Sequence, residues 1–420
     1  MVLSPTLDAT GEQDRVAPAW PDRLLDLLAA AAMALLPFQN SFLQRTPLGA
    51  FGASLSLLPL ALFAFLSILR VIARPAATTL SPVYVAVMVY VVMVTVFGFL
   101  AYGWAYKGIF LTDKAILAAV QWIFMAFAVA AGAHCSPSQA RCALTFAWLA
   151  NLAGFAVFGG NPDAVGASAK SIGFSSEPSQ FGLVTAIIGL TLACLTVRPI
   201  WRWTILTTSG AAILLSGSKG AVAVLAIVVV VTGLVRARHD RRRLLQIVPV
   251  LLLGAGGLVY FAASKIQYDI ANFTSTVTRL SGVLTALAIA IDHPFGVGLG
   301  SFYPAFATTV PSTWPTIRSL LGLQIDLSET LAYSYSDDRN ISAKAFLFDT
   351  LIYFGWPGAL ALLGITGRLA WQWLTATMPD AVWLAMALCF AIFAMSTYNA
   401  VIPMYVIPMT FGFAWGARRA

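Results

Sequence analysis

Apolar runs of bilayer length recur along almost the whole chain, each closed by a short polar or glycine- and proline-bearing segment. Inside hydrocarbon no water can hydrogen-bond a free N–H or C=O, so a run of roughly 17–25 apolar residues has to be a helix. The runs predict about twelve helices. They fall near residues 24–38, 48–70, 82–106, 115–133, 142–160, 178–197, 201–216, 220–235, 244–263, 345–367, 381–398 and 400–416. Their β-branched and aromatic residues do not alternate with polar ones, which argues against barrel strands. The expected fold is an all-α polytopic membrane protein, one integral domain over residues 1–420. A composition of 59% hydrophobic and 10% charged residues is far from that of a soluble domain.

Charge placement orients such a chain. Residues 1–22 carry both signs (Asp8, Glu12, Asp14, Arg15, Asp22), unlike a cleavable leader with its basic start, and are expected to form a cytoplasmic tail. With that end inside, Arg70, Arg74, Arg141, Arg198, Arg202, Arg236–Arg243, Arg368, Arg418 and Arg419 fall in alternate connections, the positive-inside pattern. Both termini are then cytoplasmic. Arg236, Arg238, Arg241, Arg242 and Arg243 are expected to meet anionic lipid headgroups. Nucleic acid is not an expected partner, because no folded cytoplasmic domain is long enough to bind it. Lys107, Lys114, Lys170, Lys219, Lys265 and Lys344 fall on the other side, with Arg45, Arg279, Arg318 and Arg339. The cysteines (135, 142, 194, 389) and histidines (134, 239, 293) are scattered without metal-ligand spacing. Neither a metal nor a cofactor is expected.

One stretch breaks the hydrophobic rhythm. Residues 264–344 are polar and charged, and predict a large external loop before the tenth helix. Within it, 276–291 (TVTRLSGVLTALAIAI) suits a short amphipathic helix on or dipping into the membrane. His293-Pro294-Phe295-Gly296-Val297-Gly298-Leu299-Gly300 would end it, since proline and repeated glycine cannot sustain a helix.

Chemistry-bearing residues collect on the external connections. Glu177 precedes Pro178 at a helix start, where the positive end of the helix dipole stabilises an anion; it could equally be a cap. Lys219, in Ser216-Gly217-Ser218-Lys219-Gly220, sits where charge is costly and often functional, or else snorkels from a tight turn. Arg279 offers a fork that matches phosphate oxygens, or anchors the amphipathic helix. Asp337-Asp338-Arg339-Asn340 leads to Lys344, and its carboxylates suit a general base or a solvated loop. Asp349 lies just inside the next apolar run, where Lys344 or Arg339 could pair with it. Tyr303, Trp314, Tyr333 and Tyr335 could stack on sugar rings or form an interfacial belt.

In this order and spacing, residues from about 173 to 363 resemble the O-antigen ligase and O-antigen polymerase superfamily. The resemblance rests on Gly173-Phe-Ser-Ser-Glu-Pro-Ser179, the Ser-x-Ser-basic-Gly turn at 216–220, and Arg279 ahead of 293–300. Its last element is the span from Lys344 to Gly355-Trp356-Pro357-Gly358. Members are bacterial inner-membrane glycosyltransferases acting on polyprenyl-pyrophosphate-linked glycans at the periplasmic face. Two departures bear on the reaction. Lys219 replaces the usual arginine of the turn, and Lys344 stands where ligases carry a histidine, which favours a repeat-unit polymerase. On that reading Lys219, Arg279, Arg318 and Arg339 would face the pyrophosphate. Glu177, or Asp337 or Asp338, would take the acceptor proton, with Lys344 beside them and Tyr303, Trp314 and Tyr335 on the sugars. Donor and acceptor would be lipid-linked oligosaccharides, with a flippase and a chain-length regulator as protein partners. The rival expectations are a ligase of finished polymer and a transporter of the lipid-linked unit, although the latter usually carries pseudo-repeats.

Overall fold

Helices account for nearly all of the described chain. The computed structural model describes residues 20–39, 41, 43, 54–73, 82–159, 172–175, 177–238, 249, 274–321, 342–397 and 404–418. In chain order they form α1 (Trp20–Ala34), a 3-10 turn at Leu36–Phe38, α2 (Leu57–Ala73) and α3 (Pro82–Tyr102). A two-stranded antiparallel hairpin follows, β1 (Ala105–Tyr106) pairing with β2 (Ile109–Phe110). Then come α4 (Leu111–His134), α5 (Pro137–Phe158), α6 (Pro178–Leu195), α7 (Pro199–Leu215) and α8 (Lys219–Ala237). The remainder are α9 (Thr274–Asp292), α10 (Phe302–Leu321), α11 (Phe346–Leu374), α12 (Ala381–Thr397) and α13 (Val406–Gly416). Of the twelve helices expected from apolar runs, eleven have a described counterpart, and the one near 244–263 lies, residue 249 apart, outside the described residues.

Local chemistry sets several starts. α5 opens on a capping box, with Ser136 Oγ accepting from the Gln139 N–H and Gln139 Oε1 accepting from the Ser136 N–H. Pro137, Pro178 and Pro199 each occupy the first turn of their helices, where a missing N–H costs nothing.

Among the described residues six helices (α3, α4, α5, α6, α8 and α11) are long and apolar enough to cross a membrane. α3 shows why lipid rather than water must surround them. Val83, Tyr84, Met88, Val92, Phe97 and Leu100 are all exposed along it, an apolar face of a kind that water-soluble surfaces avoid. The chain is a multi-pass, all-α membrane protein.

α6 is the most enclosed of these helices, 72% of its apolar window being buried, and α5, α7 and α12 pack around it. α13 lies against α4 at backbone distance. A Cβ on Gly412 would fall 1.9 Å from the Val129 carbonyl oxygen, and one on Gly416 2.4 Å from that of Ala133. Small residues spaced by four are how helices approach in lipid, where burial of apolar surface gives no drive.

Polar contacts tie one set of helix ends together. Asp22 pairs with Arg70 at 2.6 Å and Arg202 with Asp380 at 2.7 Å, and an Asp26 carboxylate oxygen lies 3.1 Å from His134 Nε2. Arg198, Arg236 and Arg238 flank the same ends of α7 and α8, which form the arginine-rich end of the molecule.

The stretch read as a large loop with one amphipathic helix is different. Its described part holds two helices, α9 and α10, that build a core of their own with α11 from Ala286, Ile289, Val297, Phe302, Phe306 and Ile352. Pro311 and Pro315 disguised α10 in the sequence. Both lie on its exposed face, while Phe302, Phe306, Val310, Thr313 and Ile317 are buried at helical spacing.

Candidate functional site

Away from the arginine-rich end, the start of α6 meets the turn between α7 and α8. Glu177 is the residue before α6, and its main-chain carbonyl accepts from the Gln180 and Phe181 N–H groups. Its carboxylate does not cap the helix; it accepts from the Ser179 hydroxyl at 3.2 Å and is exposed. Five residues on, Gly182 has no room for a side chain, since a Cβ would fall 2.4 Å from Ser218 Oγ. The Ser-x-Ser pattern is thereby explained. Ser216 Oγ bonds back to the Ile213 carbonyl at 2.8 Å, ending α7, and Ser218 packs on Gly182. Lys219 then opens α8 with its side chain exposed, near the Glu177 helix start.

A second contact forms where α9 meets the entry to α11. A Cβ on Gly282 would lie 2.6 Å from the Ala343 carbonyl oxygen, so α9 and the 342–344 turn touch through their backbones. Arg279, half-buried and three residues before Gly282, shares that helix face. Lys344 follows Ala343 and adopts φ 59, a region that non-glycine residues rarely occupy. Asp349 holds it there. This carboxylate, 6% exposed, accepts from the Ala343 N–H and from the Ser342 hydroxyl, both at 2.7 Å. Ser342 Oγ in turn accepts from the Lys344 N–H at 2.9 Å. Asp349 is thus satisfied by a backbone amide and a hydroxyl, with the Lys344 charge close enough to favour its ionised form.

The two glycine-bearing motifs complete one another. At Gly355 (φ 61, ψ −163) α11 breaks, which takes the Ile352 and Tyr353 carbonyls out of the helical ladder, and Pro357 has no N–H to offer. The Val297 and Gly298 N–H groups donate to those two carbonyls at 2.9 and 3.0 Å, and the Trp356 N–H donates to the Pro294 carbonyl at 2.9 Å. Gly296 (φ 87) and Gly355 face each other so closely that a Cβ on Gly296 would sit 2.5 Å from the Gly355 nitrogen. α3 fastens this junction. Tyr90 Oη donates toward the Phe295 and Phe354 carbonyls at 2.9 and 2.7 Å, and Thr95 Oγ1 accepts from the Leu299 N–H. Tyr102 Oη lies 3.0 Å from His293 Nε2. α11 also links the cores, Phe346 lying 5.2 Å from Trp122, centroid to centroid.

One group was missed by the sequence reading. Gln39 and Ser54 form a bridge, Ser41 and Ser175 another, and all four are buried. Gln39 Oε1 accepts from the Val406 N–H at the start of α13. Gln39 Nε2, Ser54 Oγ and Ser175 Oγ are buried with no hydrogen-bond partner among the described residues, an unusual concentration of uncharged polar atoms in such a chain. Its only sequence signal is the run Gln39-Asn40-Ser41 between apolar helices, together with Ser175 two residues before Glu177.

The other expected residues divide. Tyr303 is 6% exposed and edge-on to Tyr106 at 5.5 Å. Trp314 is half-buried against the Phe302 core. Arg318 is exposed near the end of α10. Ser176, Tyr333, Tyr335, Asp337, Asp338 and Arg339 lie outside the described residues. Among the described residues no cluster of His, Cys, Asp and Glu could hold a metal ion. Compared with models of known protein families and with curated proteins, the chain matches none.

Proposed function

We propose that the protein is a membrane glycosyltransferase that polymerises polyprenyl-pyrophosphate-linked oligosaccharide repeat units into an exopolysaccharide or O-antigen at the periplasmic face of the bacterial inner membrane. One observation carries the reading. Backbone contact at Gly282 seats α9 against the Ser342–Lys344 turn, so that Arg279 and Lys344 belong to adjoining segments, from which both could reach a leaving pyrophosphate.

In this reaction a hydroxyl of the acceptor sugar attacks the anomeric carbon of the donor. Its proton passes to the Glu177 carboxylate as the carbon–oxygen bond to the pyrophosphate breaks. Charge then accumulates on the lipid pyrophosphate, where Arg279 and Lys219, with Arg318 and Arg339 from the same external region, stabilise it. Each such donor lowers the barrier by about 2–4 kcal/mol. Asp337 and Asp338 are the next candidates for the base. Trp314 and Tyr335 would be contacts for the sugars.

Deleting the gene and analysing the lipid-linked glycans that build up tests the reaction. Single repeat units on the periplasmic side are the expected result. Accumulation of long lipid-linked polymer would replace this reading with a ligase, and units held at the cytoplasmic face would replace it with a flippase. Arg279→Ala should abolish polymer while the protein still inserts; normal chain length in that variant would remove Arg279 from the pyrophosphate site.

A further inference from the structure

At the arginine-rich end, remote from the site just described, α8 and α12 diverge around a groove of about 400 Å³. Its walls are apolar: Val229 and Gly233 on α8, and Val382, Trp383 and Met386 on α12. Its polar features are Thr232 and Arg236, four residues apart and so on one helix face. Thr232 Oγ1 and the Arg236 nitrogens Nε and Nη2 are buried with no hydrogen-bond partner among the described residues. The nearby carboxylate of Asp380 is engaged by Arg202 at 2.7 Å. A guanidinium and a hydroxyl on one helix face, at the mouth of an apolar channel, suit an anion that carries its own hydrocarbon.

We infer that this groove holds one anionic phospholipid, its phosphate on Arg236 and Thr232 and one acyl chain between α8 and α12. The fork matches phosphate oxygens in pairs. A free phosphate would satisfy Arg236 yet leave Val229, Val382 and Met386 unfilled, and a zwitterionic lipid would fill the walls but bring its own cation in among the arginines of this end. Trp383, edge-on to Trp203 at 5.9 Å, places aromatic rings where a glycerol backbone would lie. Arg238 is separate, since its guanidinium sits 5.2 Å from the centroid of the Trp371 ring. The inference is independent of the reaction proposed at the other end.

The test is native mass spectrometry of the delipidated full chain in detergent, given equimolar phosphatidylglycerol and phosphatidylcholine of matched chain length. Wild type should retain phosphatidylglycerol over phosphatidylcholine by at least about tenfold. Arg236→Gln should bring the two to parity, and Arg238→Gln should leave the preference intact. Gly233→Phe, which fills the channel and keeps the charge, should lose both lipids, with monodisperse elution showing that it folds. An undiminished preference in Arg236→Gln, or wild-type retention in Gly233→Phe, would overturn the proposal. Displacement of the lipid by millimolar inorganic phosphate would do the same, leaving a simple anion site.

Discussion

Asp349 and Lys344 show how single residues shape the candidate site. The carboxylate stands on α11 but serves the turn before it, fixing Ser342 and Ala343 so that Lys344 is held at φ 59. Hydrogen bonds to a charged group contribute about 1.5–3 kcal/mol each, so Asp349→Ala should cost about 3 kcal/mol of local stability. Asp349→Asn keeps one acceptor for the Ala343 amide and should cost about 1 kcal/mol. Thermal unfolding in detergent would rank them, and equal midpoints for the two variants would contradict the role. Lys344→Gly separates charge from backbone. Glycine accepts a positive φ without strain, so the variant should match or slightly exceed wild type in stability while losing polymer formation. Full activity in it would take the ammonium out of the site. Glu177→Gln should lower turnover at least about 100-fold if Glu177 is the base, with little effect on unfolding because the side chain is exposed. Retained activity there would move the role elsewhere. Sequence reasoning reached these residue types but not their partners. Nothing in the spacing of Ser342, Ala343 and Asp349 says that the carboxylate reaches back to the turn before its helix.

Elements reveal the larger gap between pattern and structure. The motifs at 293–300 and 355–358 look in sequence like two unrelated glycine-rich turns, yet each supplies the hydrogen bonds that the other lacks. Gly355→Ala tests this directly. Its φ 61, ψ −163 backbone belongs almost only to glycine, and a Cβ there would lie 2.1 Å from the Pro294 carbonyl oxygen. The substitution should cost more than about 3 kcal/mol, seen as loss of monodisperse protein. Gly364→Ala, in the same helix with nothing within 4 Å of the new methyl, should be neutral or stabilising by up to about 1 kcal/mol. Similar behaviour of the two variants would mean the helix break is not anchored by the 293–300 turn. The apolar runs showed where eleven helices lie because length and hydropathy are local properties. α10 escaped because its prolines signal a break in sequence, whereas on an exposed face they are tolerated. The pairing of α9 and α10 into a separate core is a tertiary outcome to which no local pattern points.

At the scale of the whole molecule, function depends on which end of the helices faces out. Charge placement argues that the arginine-rich end is cytoplasmic, which would put the Glu177, Lys219 and Lys344 turns outside. Native thiols allow a direct check. Cys135 is buried, its thiol pushed up to about 12 by that burial and by the neighbouring Asp26 carboxylate, so it should be inert. Cys142, seven residues on in α5, is exposed near the arginine-rich end. Lys107, at the tip of the β1–β2 hairpin, lies across the 24 residues of α4, a rise of about 36 Å. In intact cells an impermeant maleimide should label a Lys107→Cys variant at once, and should reach Cys142 only after the membrane is permeabilised. The reverse pattern would turn the molecule over, placing Glu177, Arg279 and Lys344 in the cytoplasm. No periplasmic lipid-linked acceptor could reach them there, and the proposed polymerisation would fail with the topology.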